Sequence, residues 1–97
     1  MTVADISRKL PARITLPTLG GESSFHVVNE RGVVIIINSS GTQHKLNDAH
    51  VLSVYNRYTV LAAGRRLMAS EYVDPNWPER PNRIFSPYLA RVLDYIR

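Results

Sequence analysis

Between Phe25 and Val51 the apolar and polar positions change period sharply, and each change marks an element. Phe25-His26-Val27-Val28-Asn29 reads as a strand that turns at Arg31-Gly32. Val33 to Ile37 is an unbroken β-branched run, too apolar for a strand with one solvated side. It belongs at the centre of a sheet. Val34 and Ile36 then face one side, and Val33, Ile35 and Ile37 the other. If both sides are buried, the second layer must come from the C-terminal helix or a second subunit, which favours a dimer. Asn38-Ser39-Ser40-Gly41 is a second turn, and Thr42 to Leu46 returns as an antiparallel strand. Upstream, Arg13-Ile14-Thr15-Leu16 alternates as a strand, and Pro17 confines it to an edge.

The period then becomes helical. Asn47 is a good N-cap, Asp48 at the first helical position suits the helix dipole, and Leu46 with Val51 forms a hydrophobic staple. Val51, Leu52, Tyr55, Tyr58, Leu61 and Ala62 make one apolar stripe. The helix is expected over Asp48 to Ala63, with Gly64 as its stop and Arg65-Arg66 against its negative end. Leu67 to Val73 fits either a short helix or an extended segment. Pro75, Pro78 and Pro81 make Asp74 to Arg83 a loop without regular structure. Ser86-Pro87 is a cap followed by proline at the first helical position. A second helix is expected from there, with Tyr88, Leu89, Val92, Leu93 and Ile96 on its apolar face. At the other end, residues 2–10 fit a short helix capped by Thr2 and stopped by Pro11, and residues 1–12 fit equally a flexible segment.

These elements predict one α+β domain over residues 1–97. A three- to four-stranded antiparallel meander packs against two helices. The expected core is Ile14, Leu16, Val27, Val34, Ile36, Leu52, Tyr55, Leu61, Leu89, Val92 and Leu93. In outline only, the order of sheet, capped helix, proline-rich loop and terminal helix resembles small accessory proteins of phage and mobile bacterial elements. No motif is shared residue by residue, so no role is carried over.

Composition narrows the chemistry. The chain has no cysteine, which removes disulfides, thiol nucleophiles and cysteine-based zinc sites. No basic-then-apolar leader pattern opens it and no apolar run could span a bilayer, so a cytoplasmic location without a membrane partner is expected. The formal net charge is +4. It is spread evenly: five basic and three acidic side chains up to residue 47, seven and five after it. Ten of the twelve basic residues are Arg, the side chain that forks phosphates and stacks on bases.

Catalytic and metal signatures are missing. His26, His44 and His50 show no metal-ligand spacing and are expected at the surface or half-buried. Ser39-Ser40-Gly41 does not complete the Gly-x-Ser-x-Gly pattern of a nucleophile elbow leading straight into a helix, and no glycine-rich phosphate loop occurs. No cofactor, metal or catalytic residue is expected. The leading expectation is a non-enzymatic binding module that engages nucleic acid. Arg57, Arg65, Arg66, Arg80 and Arg83 would hold phosphates, and Trp77 would stack or anchor. Against it stands an ordinary solvated basic face. The alternative is a protein-interaction or self-association module anchored by Trp77, Tyr72 and Arg80.

Overall fold

The computed structural model describes residues 1–61, 68–72 and 80–97, with side chains in the last stretch from residue 84 onward. The order is α1 (Val3–Lys9), β1 (Arg13–Pro17), β2 (Ser24–Glu30), β3 (Val33–Ile37), β4 (Gln43–Lys45), α2 (Asp48–Leu61), a short 3-10 helix (Ala69–Tyr72) and α3 (Arg80–Ile96). The fold is α+β. The strands form an antiparallel meander in sequence order, with β3 inside and β1 on an edge. β2 and β3 meet in register as Glu30 opposite Val33, which leaves a two-residue turn. Arg31 and Gly32 both have positive φ, 52° and 80°, the mirror-image turn that follows the twist of a hairpin.

The sheet buries one face. Leu16, Phe25, Val27, Val34 and Ile36 point inward and are buried, with Ile14 half-buried beside them. The helices lie against that face: α1 on β3, and α3 on both β1 and β3, while α2 packs on α3. The buried His50, Val51, Val54 and Tyr58 form the inner face of α2. Leu52, expected in the core, is 49% exposed, and Tyr55 and Leu61 are only half-buried. The reason is His50. It turns inward to a buried partner on α3, so the inner face runs through His50, Val51, Val54 and Tyr58, and Leu52 falls outside it.

The start of α2 is as the sequence indicates. Asn47 Oδ1 accepts from the His50 backbone N–H at 2.9 Å, and Leu46 and Val51 are both buried. The expected stop at Gly64 lies outside the described residues.

The C-terminal helix differs. It begins at Arg80, so Ser86 is not its cap and Pro87 lies in its interior. Pro81 sits in the first turn, where a missing N–H has no helical partner to lose. Pro87 does forfeit one helical bond, and tertiary packing outweighs that. Phe85, Leu89, Val92, Leu93 and Ile96 form one buried stripe that runs across the proline. Arg80 to Arg83 are therefore helical rather than part of a loop.

A third helix docks at the N-terminus. Thr2 and Asp5 form a reciprocal capping box, and Ile6 is fully buried. Both ends of α1 are held from a distance. Asp48 Oδ1 accepts from the Val3 backbone N–H at 2.9 Å. Asn29 on β2 donates from Nδ2 to the carbonyls of Ser7 and Leu10 at 2.9 and 3.0 Å, and its Oδ1 accepts from the Ser7 hydroxyl at 2.7 Å. Those carbonyls are among the orphan acceptors that any helix leaves at its C-terminal end.

Candidate functional site

Among the described residues the helices gather on one face of the sheet and leave the other uncovered. Strand alternation places Arg13, Thr15, His26, Val28, Glu30, Val33, Ile35, Ile37, Gln43 and Lys45 on it. The register aligns Arg13, Val28, Ile35 and Lys45 across the four strands. A half-buried apolar pair is thus flanked by an exposed cation on each edge. The backbones of the two cations stand roughly 14 Å apart, three strand spacings of about 4.8 Å. The next row is Thr15, His26, Ile37 and Gln43. Within it the Thr15 hydroxyl and His26 Nδ1 lie 2.8 Å apart. Arg13, Thr15, His26, Val28 and Ile37 line a shallow depression of about 290 Å³.

The charges on this face are uncommitted. Among the described residues, Arg13, Glu30 and Lys45 make no ion pair, whereas several other carboxylates are occupied elsewhere. Asp5 caps α1 and pairs with Arg8, Asp48 holds the start of α1, and Asp94 accepts from Tyr58 and lies near Arg91 and Arg97. Hydrogen bonds from the Thr2 backbone N–H and then the Thr2 hydroxyl hold the Asp5 carboxyl below its ordinary 3.8.

No family model, curated protein or solved structure matches this chain. The chemistry of the site therefore rests on the residues alone.

The residues singled out from sequence are distributed differently. Arg57 is exposed on α2, and its Nε–H donates to the Glu71 carbonyl, tying α2 to the 3-10 helix. Arg65, Arg66 and Trp77 lie outside the described residues. Arg80 and Arg83 fall in the first turn of α3, and their side chains lie outside the description. Tyr72, expected as an interaction anchor, is fully buried. Its ring belongs to the core, as do Phe25, Phe85 and Tyr58. Arg13 and Lys45 carried no motif; the only available signal was the alternation that puts them on the same side as Ile35.

A second polar cluster lies inside the molecule. Ser86 Oγ is 2.9 Å from His50 Nε2, and His50 Nδ1 is 3.3 Å from His44 Nε2. The His44 ring stacks on Phe85 at 5.0 Å. A neutral His50 carries one ring proton, so the protons of the chain run in a single direction, from Ser86 toward His44 or the reverse. The connectivity is that of a nucleophile, a base and an orienting group. Ser86 is fully enclosed and His50 is 2% exposed, and the chain forms a buried polar seam joining β4, α2 and α3. Burial of His50 corrects the expectation of surface or half-buried histidines. No group of three or more His, Asp or Glu among the described residues could hold a metal ion, and no described helix is long and apolar enough to cross a membrane.

Proposed function

We propose that the chain is a non-enzymatic binding module that engages nucleic acid through the open face of its sheet. The supporting observation is the cross-strand row Arg13–Val28–Ile35–Lys45. It sets two unpaired cations at the ends of an uncovered apolar floor. Cations at that separation hold phosphates of a strand laid across the sheet, while Val28, Ile35, Ile37 and the His26 ring underlie sugars and bases. The net charge of +4 and the Arg-dominated basic set supply the general attraction to a polyanion. In this reading Arg65, Arg66, Arg80 and Arg83 add phosphate contacts.

Fluorescence anisotropy with generic single- and double-stranded DNA and RNA, at low and moderate salt, tests it. Saturable binding that weakens steeply with salt is expected. Arg13→Glu with Lys45→Glu should lower the salt slope by about two contacts, roughly one for each cation. A matching Arg80→Glu, Arg83→Glu variant measures the helix separately. Absence of binding at low salt refutes the proposal.

The same apolar floor supports a second reading, self-association of two open faces without nucleic acid. β1 and β4 present the exposed edges, with Pro17 and Lys45 guarding against edge pairing. Light scattering decides between the two. A dimer that Ile35→Asp converts to a folded monomer, with no affinity for nucleic acid, establishes the second reading.

A further inference from the structure

A different part of the molecule carries a separate binding site. A pocket of about 350 Å³ opens where α1, α2 and α3 meet, at the low end of the size range for small-molecule sites. It is lined by Met1 and Lys9, by Tyr55, Tyr58 and Thr59 of α2, and by Leu93, Ile96 and Arg97 at the end of α3. The two hydrogen-bond chains that cross from α2 to α3 explain why these residues converge. His50 meets Ser86 and Tyr58 meets Asp94, both thirty-six residues apart, so the two helices run parallel and their last turns come together.

The uncommitted side-chain charge in the pocket is one-sided. Thr59 has given its proton to the Asn56 carbonyl at 2.9 Å. Tyr58 donates to Asp94 Oδ1 at 3.1 Å, and burial pushes its phenol above the ordinary 10.0, so it keeps that proton. The Lys9 ammonium has neither an ion pair nor a hydrogen bond among the described residues. It offers three donors and no acceptor. Arg97 also lines the pocket, 3.8 Å from Asp94 and largely exposed. No Asp or Glu is among the residues that line the pocket. Lys9 and Arg97 also answer the negative ends of α1 and α3, but that effect is confined to the last helical turn and supplies Lys9 with no acceptor.

We infer that this pocket binds a small monocarboxylate with an apolar body, its carboxylate on Lys9 and its body against Leu93, Ile96 and the tyrosine rings. Titration calorimetry and backbone NMR with phenylacetate and hexanoate test this on the full chain, with phenylacetamide as the uncharged counterpart. Saturable binding of at least one acid is expected, with shifts at Tyr55, Thr59 and Ile96. Phenylacetamide, and Lys9→Gln with either acid, should bind about tenfold more weakly, the loss of one charged contact. Thr59→Trp, at an exposed helical position, should close the pocket while leaving the fold intact by circular dichroism. The inference is overturned if neither acid binds, if acid and amide bind equally, if Lys9→Gln binds as well as the natural chain, or if the shifts fall on the sheet.

Discussion

Asn29 is the residue whose loss should report most directly on how the N-terminal helix is held. It makes three side-chain hydrogen bonds to α1: two donated to the Ser7 and Leu10 carbonyls, one accepted from the Ser7 hydroxyl. Asn29→Ala removes all three and leaves two helix-end carbonyls facing a half-buried space. Neutral bonds contribute about 0.5–1.5 kcal/mol net each, and access to water recovers part of the loss, so the cost should be about 2–3 kcal/mol. Against a total of about 5–15 kcal/mol for a domain of this size, that is a large fraction. Urea unfolding monitored by circular dichroism measures it by extrapolation to water. Hydrogen exchange at the Ile6 amide shows whether α1 detaches before the rest opens. Asn29→Asp, which keeps the shape but points a carboxylate at two carbonyls, should cost more at pH 7 than Asn29→Ala. A Ser7→Ala, Asn29→Ala cycle should give a coupling of about 0.5–1.5 kcal/mol. A loss below about 0.5 kcal/mol for Asn29→Ala, or strict additivity in the cycle, would refute the account.

Three other outcomes follow from the same structure. Asn47→Ala should cost about 1 kcal/mol through the lost cap on His50, and urea unfolding should show it with an unchanged m-value. Ser86→Ala should cost about 1–3 kcal/mol, because it removes a hydrogen-bond partner from a fully enclosed histidine; a neutral substitution would show that the seam contributes nothing to stability. The pH dependence has two limbs of opposite sign. Asp5 has a depressed folded value, so its contribution is present above pH 3.8 and is lost as pH falls through the lower folded value; Asp5→Asn should abolish that acid dependence in melting curves. Tyr58 has a raised folded value, so its contribution is present below pH 10.0 and is lost as pH rises through the higher folded value; Tyr58→Phe should reduce the alkaline loss.

Where local chemistry alone sets the answer, the sequence is sufficient. The β-branched run Val33 to Ile37 can sit only inside a sheet, Arg31-Gly32 fits a tight hairpin, and Asn47-Asp48 opens a helix whatever surrounds them. The same alternation already assigns Val33, Ile35 and Ile37 to the face opposite Val34 and Ile36. What it leaves open is whether that second face is covered, because covering depends on where helices from distant segments pack. Among the described residues α1 and α3 pack on the same side, and α2 joins them there through α3. Leu52 shows the limit within one helix. Its spacing fits the apolar stripe, but the buried side of α2 includes His50, hydrogen-bonded to Ser86, and leaves Leu52 49% exposed. Pro87 shows it at a boundary, since a strong local start signal yields to a buried stripe that continues across it. The pairing of Arg13 with Lys45 across four strands, and of Lys9 with Tyr55 and Ile96 around one pocket, joins residues far apart in the chain with no motif between them. Only the tertiary structure could bring them together, because charge placement on a finished surface is a property of packing and register rather than of local sequence.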